Sequence, residues 1–168
     1  TLTKVGPGTL TLAANSSYTG ATYVGTSYYN ATAYTAWTGG VLRLQNANAL
    51  GRTGGSIVDV QGNAAVELDG THAPVVISNL NLVLRTSPER GFADGYLHDY
   101  RGALRNVAGN SNVWSGEVDL RSQDTADRWV FIGSEAGNLT LAGEVTGSDN
   151  TGAYRGTMGL VKTGAATV

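Results

Sequence analysis

Apolar residues two positions apart recur along most of the chain in short runs. "TLTLA" from Thr9, "VLRLQ" from Val41, "IVDVQ" from Ile57 and "AVELD" from Ala65 open the series. "NLVLR" from Asn81, "EVDLR" from Glu117, "WVFIG" from Trp129 and "NLTLAGEV" from Asn138 continue it. Each run alternates with polar positions and is bounded by Gly, Asn, Asp or Ser, the pattern of short strands joined by turns. No window of a dozen residues keeps an apolar i, i+3, i+4 spacing free of Gly and Asn, so the pattern predicts an all-β fold.

The spacing between runs narrows the architecture. "VLRL" at 41–44 returns as "AVEL" at 65–68, and Val58 and Val60 return as Leu82 and Leu84, each 24 residues later. "SGEV" at 115–118 returns as "AGEV" at 142–145, after 27 residues. A repeat of this size in a strand-rich chain points to a β-solenoid, in which each coil carries two or three short strands paired in parallel with those one coil away. Inward Leu, Val and Ile would stack in columns, and turn glycines would supply positive φ at the corners. About seven coils fit, a rod of about 35 Å at about 4.8 Å per coil. The alternative is a β-sandwich, which also places turn signals every 8–12 residues or so. A sandwich has no reason to repeat at 24, and it favours Asn-Gly or Asp-Gly hairpins, of which only Asp69-Gly70 and Asp94-Gly95 occur.

Composition is that of an ordered, weakly charged globular chain. Of 168 residues only 14% are charged, against about 25% in an average domain. Glycine is frequent at 24, proline is scarce at 3, and the net charge is −2. No basic stripe is available for a nucleic-acid backbone. No apolar run approaches the length of a transmembrane helix, so the chain is not expected to span a membrane. Cysteine is absent, which excludes a disulfide framework and a thiolate metal site. The chain does not begin with Met, which suggests a piece of a longer product.

"LTKVGPGTLTLAANSSYTGATYVG" at 2–25 resembles the autotransporter-associated β-strand repeat, and "VLRLQNANALG" at 41–51 resembles its usual continuation. "GALRNVAGNSNVWSGEVDL" at 102–120 is similar to stretches of giant bacterial surface proteins built from that repeat, and "GLVKTGAATV" at 159–168 looks like the start of a next copy. The resemblance implies a right-handed parallel β-helix at the bacterial outer surface. It would serve as stalk or fibre, aid passenger folding and secretion, and bind no cofactor. Two stretches depart from the pattern, 26–40 and 86–102, and both are expected to be loop insertions projecting from a single solenoid unit.

Candidate chemistry is thin. His72 sits in a turn-like "DGTHAP", and His98 lies in the most charged stretch, near Glu89, Arg90, Asp94, Asp99, Arg101 and Arg105. That stretch reads as a surface loop held by its own ion pairs and by packing of Phe92, Tyr96 and Tyr100. No metal-ligand spacing and no G-x-S-x-G elbow occurs. Acids such as Asp59, Glu67, Asp69, Glu117 and Asp119 are scattered, unlike the clusters of polysaccharide-cleaving β-helices, so Glu67 and Asp69 read as an ordinary outward face. "GSDNTG" at 147–152 lacks the repetition of β-roll calcium sites. The sequons at Asn15, Asn30 and Asn138 read as turn composition.

Two surfaces remain as candidates. Tyr18, Tyr23, Tyr28, Tyr29, Tyr34 and Trp37 crowd one segment of an aromatic-poor chain. Rigid amphipathic rings could grip a glycan or a host or neighbouring cell surface, which would make the chain an adhesin or carbohydrate-binding module. The other surface is the pair of solenoid ends, whose unpaired strands invite pairing with a neighbouring unit or another copy. Leu2, Leu10, Leu12, Leu160 and Val168 are the residues expected to stack there. Lys4 and Lys162, matched 158 residues apart, are expected to share one exposed place at a coil corner.

Overall fold

A computed structural model describes residues 1–25, 39–51, 56–86, 92–93, 99–109, 111–122, 128–147 and 158–168. Among them there are strands and turns and no helix. The strands form three sheets, and every strand pairing is parallel. The first sheet runs β1 (Leu2–Lys4), β3 (Thr22–Val24), β5 (Ile57–Val60), β8 (Asn81–Arg85), β12 (Val118–Arg121) and β15 (Val145–Gly147). The second runs β2 (Thr9–Leu12), β4 (Val41–Leu44), β6 (Ala65–Asp69), β10 (Leu104–Ala108), β13 (Arg128–Ser134) and β16 (Met158–Thr163), with β9 (Phe92–Ala93) alongside the start of β13. The third holds β7 (Val76–Ile77), β11 (Ser111–Trp114) and β14 (Asn138–Leu141).

The first five strands alternate between the first and second sheets, and from β6 onward the chain visits all three in rotation; each strand lies beside the one laid down a lap earlier. The echoes in the sequence are this register. Val41, Leu42, Arg43 and Leu44 face Ala65, Val66, Glu67 and Leu68. Val58 and Val60 face Leu82 and Leu84, and Val118 faces Val145. Because alternate side chains share a face, register stacks like on like. Leu10, Leu42, Val66, Leu104 and Ile132 form one inward column, and Val24, Val60, Leu84 and Leu120 form another. With Ile77, Trp114 and Leu139 of the third sheet they make a single buried cluster.

Two expectations need correction. "NLTLAGEV" is not one strand but two, β14 and β15, on different sheets. The chain turns between them at Gly143, where a Cβ would sit 2.1 Å from the Gly116 carbonyl oxygen, so backbones of successive laps touch. The stretch 86–102 is not loop throughout either, since Phe92 and Ala93 pair with Trp129 and Val130.

An inward asparagine pair fills the corner between the second and third sheets. Asn112 Nδ2 donates to Asn106 Oδ1 at 2.7 Å and to the Ala108 carbonyl at 2.9 Å, while its Oδ1 accepts from the Val75 amide at 2.7 Å. Asn106 Nδ2 in turn donates to the carbonyls of Ala136 and Asn138. Buried amides placed this way satisfy backbone groups that a strand cannot reach at a corner.

Candidate functional site

The outward faces carry the charge. Arg43, Glu67 and Arg105 are register partners on β4, β6 and β10, so their side chains line up as a ladder of alternating sign. Glu67 Oε2 accepts from Arg43 Nε at 2.6 Å, and its Oε1 accepts from Arg105 at 2.7 and 2.9 Å. Glu67 and Arg105 are each only 3% exposed. Arg105 continues the ladder to Asp99 at 2.8 Å, and Arg101 pairs with Glu135. On the first sheet Arg85 grips Asp59 with three bonds of 2.8–3.0 Å. The reading of Glu67 and Asp69 as an ordinary outward face is therefore half right: the face is outward, but both carboxylates are buried and fully engaged. The signal lay in the 24-residue offset, which aligns Arg43 with Glu67 and Gln45 with Asp69.

Burial pushes the Asp69 carboxyl up, but donors from Thr71 and Gln45, with Arg43 close by, outweigh it and hold the group below its ordinary range. A depressed carboxylate adds stability above its unfolded value, near pH 4, and loses it as pH falls through the folded value. Asp69→Asn is thus expected to cost about 1–2 kcal/mol at pH 7 and much less at pH 3. Urea unfolding at the two pH values checks it, and an equal cost at both would show that the charge is irrelevant.

Of the aromatic segment, Tyr23 points outward from β3 and is part-exposed. Tyr18 is half-buried with its hydroxyl 2.7 Å from Thr22 Oγ1. Tyr28, Tyr29, Tyr34 and Trp37 lie outside the described residues, as do His98, Tyr96 and most of 147–152. His72 is exposed at a bend. Among the described residues no group of three or more Asp, Glu or His could hold a metal ion.

The ends are better defined. Among the described residues β1 and β2 pair on one side only, as do β15 and β16. Leu2, Leu10 and Leu12 head inward columns at the first end and pack half-buried on the core. At the other end Leu160 closes the column of Val130 and is 45% exposed, and Val168 is also exposed. Val145 belongs with them and was not singled out in the sequence. It ends the column of Val118, Leu82 and Val58, opposite Leu2.

The two lysines do not share an exposed corner. Lys4 lies in the first sheet, in line with Val24, and is buried, whereas Lys162 lies in the second, in line with Ile132, and is exposed. Strand alternation is the reason: each sits two residues after an inward Leu and so points into its column. What they share is the local turn. Lys4 Nζ donates to the carbonyl of Gly6 at 2.6 Å and Lys162 Nζ to that of Gly164, and the two glycines have φ of 75° and 76°. Burial lowers the Lys4 amine below its usual value. Each end of the core thus closes on an inward amine, a device that discourages indiscriminate edge pairing.

Compared with known proteins, the chain matches no family model, no curated protein and no solved structure. No helix of the described residues is long and apolar enough to cross a membrane.

Proposed function

We propose that the chain is a structural unit of an extracellular or cell-surface fibre, a right-handed parallel β-helix that stacks end to end with neighbouring units. The observation that carries this reading is the pair of ends whose strands, among the described residues, pair on one side only, each beside a set of apolar columns. Three parallel sheets, visited in rotation from β6 onward, support the helix, with six strands in the first sheet set against the expected seven coils. Right-handedness rests on the general chirality of parallel crossovers. Surface location and a part in passenger folding and secretion rest on the resemblance of residues 2–25 and 41–51 to the autotransporter repeat. A non-catalytic role is supported by the ladders, because the Glu67 oxygens are both taken by arginines rather than aimed at a common point.

A head-to-tail junction in register would set Leu2 on Val145 and Lys4 on Gly147, with the Lys4 amine already held by the Gly6 carbonyl. Leu10 would follow Lys162, whose amine is already held by the Gly164 carbonyl. A lysine introduced at Leu10 or Leu160 would put a second charge into that junction and should abolish association while leaving the fold intact. Sedimentation of the whole chain over a wide concentration range tests this. Mass-dependent association that either variant stops supports the reading; a monomer at every concentration, or variants that associate like the wild type, would overturn it.

A further inference from the structure

The described residues carry an aromatic surface that the sequence did not announce. Trp129 and Phe131 alternate with inward Val130 and Ile132 on β13, so both rings lie on its outer face. Trp129 is 46% exposed. Its benzene half occupies the place where a Cβ on Gly159 of the adjacent β16 would sit, 2.2 Å away. Glycine at that position is what lets the indole lie along the sheet.

Tyr100 extends the surface. Its ring meets Phe131 edge-on at 5.7 Å and is itself 50% exposed. Tyr100 has a φ of 59°, a left-handed conformation that a bulky side chain rarely adopts. Two hydrogen bonds hold the turn. Asp99 accepts from the Arg101 amide at 3.0 Å, and the Arg101 carbonyl accepts from Thr163 Oγ1 at 3.1 Å and abuts Gly133. The turn thus presents a half-exposed tyrosine in a left-handed conformation beside a half-exposed tryptophan, with Phe131 between them.

The polar border selects the ligand. Arg101 is held by Glu135 and Asp99, and Arg105 by Glu67 and Asp99, so the cations beside the rings are already neutralised. Carboxylate and guanidinium groups remain at the margin as hydrogen-bond partners. We infer that Trp129, Phe131 and Tyr100 form a platform for a neutral pyranose chain, stacking its C–H faces on the rings while Asp99, Arg101 and Glu135 meet its hydroxyls. This site is separate from the aromatic segment 18–37 and does not depend on end-to-end stacking.

The test is affinity electrophoresis of the whole chain through gels containing neutral polysaccharides (a β-glucan, a mannan and a xylan) or anionic polygalacturonate. At least one neutral polymer should retard the wild type, with polygalacturonate weaker. Trp129→Ala and Tyr100→Ala should each weaken that retardation at least tenfold, and Trp129→Tyr should keep part of it. Gly159→Ala, which displaces the indole without removing it, should weaken it too, with melting temperature little changed in all four variants. Leu160→Lys should leave it intact, which separates this site from the end surface. The platform is overturned if no neutral polymer retards the chain, if Trp37→Ala rather than Trp129→Ala removes the effect, or if polygalacturonate is preferred. It is also overturned if Trp129→Ala changes the sedimentation of the chain instead, since a second copy would then be the occupant.

Discussion

Gly116→Ala is expected to destabilise the fold by about 3–5 kcal/mol, which lowers the melting midpoint by roughly 10 °C in a chain of this size. The cause is contact between backbones. A Cβ on Gly116 would lie 1.9 Å from the Leu80 carbonyl oxygen and 2.6 Å from its carbon. That oxygen also accepts from Trp114 Nε1 at 2.9 Å, and Trp114 is the largest fully buried side chain of the described residues. Moving Leu80 aside therefore opens the corner and strands a buried indole N–H. The neighbouring lap prevents relief on the other side, because Gly143 approaches the Gly116 carbonyl in the same way. Gly6→Ala is the control: it has a φ of 75° but open space around it, so only the backbone conformation is strained, at about 1–2 kcal/mol. Thermal melts of the two variants decide the matter, and a Gly116→Ala midpoint no lower than that of Gly6→Ala would refute the stacked corner.

Glu67→Ala comes next, at about 3 kcal/mol. Removing one partner from a buried ion pair leaves the other charge uncompensated, and here two arginines lose the same carboxylate. The effect sits at the low end of the usual range because Arg105 keeps Asp99 and Arg43 is part-exposed. The charge explanation carries its own check. Replacing Arg43, Glu67 and Arg105 together with Leu, Met and Leu should recover most of the loss, because apolar side chains of similar volume avoid the desolvation penalty. Denaturant unfolding of single and triple variants measures both. A triple variant as unstable as Glu67→Ala would show that volume and not charge matters at this ladder.

Register explains what was readable in the sequence. A parallel lap repeats its inward residues, so Val41–Leu44 and Ala65–Asp69 announced both their strands and their pairing. The same offset aligned Arg43 with Glu67, yet the ladder was invisible to a search for catalytic clusters, because ion pairs between laps join residues 24 and 38 apart. The third sheet was hard to see for another reason. β7 is two residues long, and β11 turns Asn112 inward where an apolar residue would signal a strand. The lysines misled because their match is real at the level of the turn but belongs to different sheets. The Trp129 platform depends on Gly159, 30 residues on, and on Tyr100, 29 residues back, with no echo linking them.

Disulfide trapping tests most directly whether the two ends fit each other. The chain has no cysteine, so every cross-link is attributable. Neighbouring strands lie about 4.8 Å apart, within the Cα range of about 4.4–6.8 Å that a disulfide bridges. Leu2→Cys and Val145→Cys variants are mixed and oxidised mildly. The end-to-end account predicts a cross-linked dimer between the two variants, little from either alone, and a ladder of oligomers from the double variant. Equal cross-linking of Leu2→Cys with itself, or none in the mixture at concentrations where the chain associates, would contradict it.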